Sequence, residues 1–159
     1  MQGDKAIIAK LNTILTNELT SVNQYFLHAR MYDNWGYLKL GKKTYDESIE
    51  EMRHADKLIK RILFLEGLPN VQTLLKMNIG EAPEECMAAD LQYEIKGRGD
   101  LISAIQACET AHDYVSRNLL REILSDTEEH IDYLETQLSL ISSVGLQNYL
   151  QSMMGDAES

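Results

Sequence analysis

Hydrophobic positions recur at three- and four-residue spacing along most of the chain, and no segment alternates as a strand would. On the N-terminal stretch Leu11, Ile14, Leu15, Val22 and Phe26 draw one face of a helix. Proline occurs only at Pro69 and Pro83, and the breaker-poor stretches on either side, rich in Leu, Ile, Ala, Glu and Lys, read as helix. Gly36 and Gly41 interrupt the first stretch and Gly67 with Pro69 closes it, which predicts helices over about 5–33 and 44–65. Pro83 followed by Glu84 and Glu85 suits the first turn and positive end of a third helix, running to about 110. A fourth covers about 114–142 and ends before Gly145. Leu146 to Leu150 forms a short helical piece that is stable only against something else, which points to assembly. The 17 residues 67–83 reach at most ~56 Å at ~3.3 Å each, enough to cross a bundle, so the second and third helices run parallel. The expected fold is all-α: an antiparallel four-helix bundle with a long crossover and a short fifth C-terminal helix, one domain over 1–159. Gly97 and Gly99, each costing about 1 kcal/mol inside the third helix, mark a local bend. The adhesion-like tripeptide Arg98-Gly99-Asp100 lies in that helix, the wrong context, and carries no function.

Several polar residues stand where these stripes ask for leucine. Glu18 lies four residues after Ile14 and four before Val22; Glu51 lines up with Leu58, Ile62 and Leu65, with His54 flanking. Glu94 shares a face with Met87, Leu91, Leu101, Ile105 and Cys108, and His130 sits among Leu119, Ile123, Leu134 and Ile141. A single polar member of a stripe more often snorkels or pairs with a neighbour than binds a ligand. The spacing changes that weighing: Glu51 and His54 follow Glu18 by 33 and 36 residues, and His130 follows Glu94 by 36. Three acids and two imidazoles converging in one core need a compensating charge, most economically metal ions. Carboxylate and imidazole without thiolate suit iron or manganese, in the manner of di-iron carboxylate bundles.

Composition narrows the classes. With 44% hydrophobic residues in 159, the chain has the apolar mass for a sizeable core, which excludes disorder and a disulfide-stapled miniprotein. Cys86 and Cys108 form neither a disulfide framework nor a CxxC site, which fits a reducing cytoplasm. Met1 to Lys5 has no basic segment followed by an apolar run, and no stretch approaches ~20 apolar residues, so neither export by that route nor a membrane span is expected. A net charge of −10, from 25 acidic and 15 basic side chains, disfavours nucleic acid and suits a protein that attracts cations.

Longer matches now carry more than the ligand pattern: Asn23-Gln24-Tyr25-Phe26-Leu27-His28-Ala29-Arg30-Met31, Arg61 through Asn70, and His112-Asp113-Tyr114-Val115-Ser116-Arg117. Through them the chain resembles the bacterioferritins from Met1-Gln2-Gly3-Asp4 to Leu146-Gln147-Asn148-Tyr149-Leu150-Gln151. The resemblance implies a ferritin-like bundle in which Glu18 and His54 bind one non-haem iron, Glu94 and His130 the other, and Glu51 bridges both. It implies a shell of twenty-four subunits built from dimers, which oxidises Fe(II) at this di-iron centre with oxygen or peroxide and stores ferric mineral. Met52, which alone reads as an interface methionine on a second apolar face made by Tyr45, Ile49, Ile59 and Leu63, becomes by resemblance an axial ligand of a b-type haem shared by two subunits. The haem would pass electrons from a small iron-sulfur ferredoxin so that iron is released.

One position departs from the pattern. The family's second bridging acid belongs three residues before His130, where this chain has Thr127. At about 100° per residue Glu128 points about 160° away from His130 and Glu129 about 100°; only Asp126 stays near that face. Three carboxylates leave one positive charge over on two Fe(II), so the expected centre loads one iron well and the second poorly. A haem-binding structural subunit that forms a hetero-oligomer with a complete ferritin subunit is the competing expectation. A rubrerythrin-like peroxidase or monomeric oxygenase is disfavoured by the missing CxxC pairs and short chain, and a DNA-protecting mini-ferritin by the lack of a lysine-rich tail. Tyr25 reads equally as a redox or hydrogen-bonding neighbour of the centre or a core tyrosine, Asp46 and Glu50 as solvated acids ahead of the alternative of metal ligands, and the cysteines as structural or incidental.

Overall fold

The structure, a computed structural model, describes residues 1–155. Five helices form: α1 (Lys5–Trp35), α2 (Leu38–Phe64), α3 (Pro83–Thr110), α4 (Tyr114–Val144) and α5 (Leu146–Ser152), with no strand among the described residues. Asp4 caps α1 by accepting from the Ala6 N–H, and Asp113 caps α4 by accepting from the Ser116 N–H. Gly36 ends α1 in the left-handed conformation, its N–H returning to the Asp33 and Tyr32 carbonyls.

Cross-helix contacts fix the topology. Lys10 reaches Ser103, Gln24 reaches Asp90 and Tyr32 reaches Pro83, so α1 and α3 are antiparallel. Arg61 reaches Asp113 and His54 reaches Asp126, so α2 and α4 are antiparallel as well. The α1–α2 and α3–α4 pairs are hairpins, which leaves α2 and α3 parallel across residues 65–82, as the crossover length permits.

Two boundaries or faces differ from expectation. α2 starts at Leu38, passing through Gly41, because Gly41 is a close-approach residue and no breaker: a Cβ there would lie 1.9 Å from Asp33 Oδ1. α3 runs through Gly97 and Gly99, which lie inside it as expected, and a Cβ at either would meet nothing within 4 Å. The α1 stripe does not run to Phe26, which is exposed; the buried face continues through Tyr25, His28, Ala29 and Tyr32. The short tail has its support within the chain. Tyr149 of α5 is buried and donates to Gln137 Oε1 at 2.5 Å, so the tail gives no argument for assembly.

A ladder of α1 side chains ties down the crossover. Asn12 Oδ1 accepts from the Asn70 N–H at 2.8 Å, Thr20 Oγ1 from Leu75 at 3.0 Å, Gln24 Oε1 from Asn78 at 3.1 Å and His28 Nε2 from Gly80 at 3.1 Å. Acceptors four or eight residues apart on one helix face thus meet N–H groups along the connecting segment, satisfying backbone that has no sheet partner. Two apolar clusters occupy the bundle ends, one around Leu11, Leu58, Leu101 and Leu120, the other around Tyr32, Leu40, Met87 and Leu134. Between them, near the middle of all four long helices, the interior turns polar.

Candidate metal centre

Glu18, Glu51, His54, Glu94, Thr127 and His130 are all buried, with at most 5% of each exposed. Glu18, Glu51, Glu94 and Thr127 line one small cavity of about 10 Å³. Four helices therefore bring to one interior every ligand candidate named from the stripes.

Half of this constellation is assembled tightly. One ligand atom each from Glu18, Glu51 and His54 lie within 4.8 Å of one another. His54 Nδ1 is 3.6 Å from Glu18 Oε2 and 3.9 Å from Glu51 Oε2, beyond hydrogen-bond length, and is buried without a hydrogen-bond partner. Its Nε2 lies 2.8 Å from Asp126 Oδ2; with Nε2–H donating to that carboxylate, the Nδ1 lone pair is aimed at the two glutamates. An unpartnered buried donor atom beside two buried carboxylates fits a divalent cation, which would satisfy all three. Burial pushes the Glu18 carboxyl up to about 7. Burial alone would lower His54, but the Glu18 and Asp126 carboxylates outweigh it and raise the imidazole to about 9.

The other half is arranged differently. His130 Nδ1 is 3.1 Å from Glu94 Oε1, and the buried Tyr25 hydroxyl donates to the same oxygen. Among the described residues Glu94 and His130 join no third ligand in a group as close as that of Glu18, Glu51 and His54. Burial acts to lower His130, and the Glu94 contact raises it on balance. Tyr25 packs its ring edge-on to His130, while Tyr133 stacks on the imidazole with an interplanar angle of 16°. Glu128 and Glu129 are exposed, and Glu128 pairs with Arg98 at 2.7 Å, as the helical angles require.

Asp126 stays near the centre, as position four residues before His130 suggests, but its carboxylate meets His54 from α2. That orienting role was not legible in the sequence, because it depends on how α2 and α4 are juxtaposed. Glu47 was likewise missed: its Oε2 lies 3.8 Å from His130 Nδ1. Asp46 pairs with Lys42 and Glu50 with Arg53. Cys86 and Cys108 are free and buried in opposite apolar clusters. Met52 lies away from the centre, half-exposed on α2, as do Leu63 and, on α1, Phe26.

Long antiparallel helices with carboxylate and imidazole converging at mid-length define a four-helix carboxylate bundle. Residues 8–144 match the family model of the ferritin-like domain. The chain is 48% identical over 151 residues to the bacterioferritin of Brucella melitensis biotype 1, covering 95% of this chain and 94% of that protein. It is 46% identical to the bacterioferritin of Mycolicibacterium paratuberculosis and 47% to bacterioferritin BfrA of Mycobacterium tuberculosis, covering 94% of each partner in both comparisons. The chain belongs to the ferritin family, among its bacterioferritins. No helix among the described residues is long and apolar enough to cross a membrane.

Proposed function

We propose that the chain is the subunit of a twenty-four-membered cytoplasmic iron-storage shell that takes up Fe(II), oxidises it between its four helices and retains the ferric product. The observation that carries this reading is the orphaned Nδ1 of His54, buried against Glu18 and Glu51. Fe(II) is the substrate. Glu18 and His54 hold the first ion, Glu51 bridges, and Glu94 with His130 receives the second. Two Fe(II) release one electron each; dioxygen takes both with two protons and leaves as hydrogen peroxide, or peroxide takes them with two protons and leaves as two waters. The Tyr25 hydroxyl occupies one lone pair of Glu94 Oε1 and so holds that carboxylate in position. With Thr127 uncharged, the three carboxylates leave one positive charge on two Fe(II), so the first ion binds tightly and the second weakly. Oxygen uptake on adding Fe(II) to the purified assembly tests this, with Fe(II) titrated anaerobically alongside. One tight site per subunit and oxidation at least tenfold slower than in Thr127→Glu is expected; two equally tight sites with fast oxidation, or a monomer on sizing, overturns it.

Thr127 favours a second reading, a haem-bearing structural subunit with little oxidation activity of its own that co-assembles with a complete partner. Under it, the wild-type homo-oligomer consumes little oxygen above free Fe(II), and Thr127→Glu restores the activity.

The outer face of α2 fits a haem. Met52 is 48% exposed, Leu63 56% and Phe26 45%, and Phe26 packs on Tyr45 at 5.9 Å between ring centroids. A second copy packed about a two-fold axis through this face would set two identical thioethers opposite one another, suited to haem iron. When bound, the haem supplies electron transfer, with a small iron-sulfur ferredoxin as donor. Met52→Leu is expected to purify without the haem absorption band; undiminished haem overturns the assignment.

A further inference from the structure

The second half of the centre lacks an acid from α4, yet its imidazole is not left to Glu94 alone. His130 Nδ1 has Glu94 Oε1 at 3.1 Å from the α3 side and Glu47 Oε2 at 3.8 Å from the α2 side. Glu47 stands one helical turn before Glu51 on the same face, and its side chain is only 17% exposed. We infer that Glu47 supplies the fourth carboxylate of the centre, binding the second divalent cation together with Glu94 and His130 in place of the acid missing at position 127.

The other nearby acids are committed elsewhere. Asp126 is held by His54, Glu50 by Arg53 and Glu128 by Arg98, while Glu129 is exposed. The two oxygens of Glu47 are already divided between roles. Oε1 lies 3.5 Å from Lys43 Nζ, and Oε2 is the one facing His130. Lys43 is nearly half exposed, so its ammonium can turn to solvent when a cation takes over the charge it balances. Glu18, Glu51, Glu94 and Glu47 then set four negative charges against two divalent cations, which the three stripe carboxylates cannot do. A side chain partly open to water makes this a weaker position than the buried one built by Glu18, Glu51 and His54. A carboxylate on the facing helix is invisible to a stripe analysis of α4, because helical spacing compares residues of one helix only.

The inference rests on the centre proposed above, and titration with Co(II) alone separates the two. Apo-assembly is titrated anaerobically while the visible absorption of bound Co(II) is followed, for wild type and the variants Glu18→Gln, Glu47→Gln, Glu47→Asp and Thr127→Glu. Wild type is expected to bind one Co(II) tightly and a second more weakly in each subunit. Glu47→Gln leaves the first within twofold and weakens the second at least tenfold, with Glu47→Asp between. In the Thr127→Glu background the second ion binds more tightly, and adding Glu47→Gln costs less than threefold because the acid at 127 now serves. A single wild-type site, or a second site indifferent to Glu47→Gln, overturns the role of Glu47. Loss of Co(II) binding in none of the steps on Glu18→Gln overturns the centre itself, whatever Glu47 does.

Discussion

His54 stands between two sets of acids, and its two nitrogens do different work. Nε2 is fixed by Asp126, which leaves Nδ1 as the atom a cation and a proton compete for. With the imidazole raised to about 9 and Glu18 to about 7, the cation-free centre at neutral pH still holds protons that metal must displace. The sign follows from competition: affinity rises with pH. Between pH 7 and 9 one proton leaves with the first ion, a change of about tenfold per pH unit, and below pH 7 Glu18 adds a second. Co(II) isotherms at pH 6, 7 and 8, in buffers of different ionisation enthalpy, would expose this; flat affinity without proton release contradicts it. The same shifts act on the apo-protein. The elevated His54 contributes stability that is full below about pH 6.5 and lost as pH rises through 9, while ionising a buried Glu18 costs stability as pH rises from about 4.5 through 7. Both slopes point the same way, so apo-protein is expected to lose thermal stability from pH 5 to 9. Thr127 keeps a further buried carboxylate, and its desolvation cost, out of that balance.

At the scale of elements, the crossover owes its path to α1 and not to any helix propensity of its own. Thr20 is fully buried, and its hydroxyl accepts from the Leu75 N–H; Thr20→Val keeps the shape and removes the acceptor. A loss of about 1 kcal/mol follows, felt locally. Amide exchange at Leu75 should quicken several-fold while first-site Co(II) affinity stays put; unchanged exchange would show that the ladder does not hold the loop. This ladder also marks where sequence reading stops. Periodicity located Glu18, Glu51, Glu94 and His130 because an acid or imidazole on an apolar stripe stands out within a single helix. It could not pair Thr20 with Leu75, Asp126 with His54 or Glu47 with His130, since each pairing depends on the juxtaposition of separate elements. The overextension of the α1 stripe to Phe26 has a related cause. A helix apolar on two sides offers two continuations, and only packing decides that Tyr25 and Ala29 turn inward. Gly41 misled for another reason: glycine signals a break or a close approach alike, and here the approach of α2 to α1 is what demands it.

Over the whole molecule the acidic excess acquires a direction. A pocket of about 670 Å³ beside His130 is walled by Asp46, Glu47, Glu50, Asp126 and Glu129, with only Lys43 and Arg53 among its basic residues. A concave wall with an excess of acids focuses the field and concentrates cations at its mouth. At −10 each, the proposed assembly of twenty-four copies would carry a formal charge of roughly −240. If that field delivers the divalent cation, capture must weaken as salt shortens its range, from a Debye length of about 30 Å at 0.01 M to about 10 Å at 0.1 M. Stopped-flow mixing of Co(II) with apo-assembly is expected to give a second-order rate that falls at least fivefold over this interval. Glu129→Lys, which reverses one charge of the wall at an exposed residue outside the Glu18, Glu51 and His54 group, should lower the rate at low salt and flatten its salt dependence. A capture rate indifferent to both salt and Glu129→Lys would mean that the acids of this pocket serve solubility alone, and that cations reach His54 and His130 by diffusion without guidance.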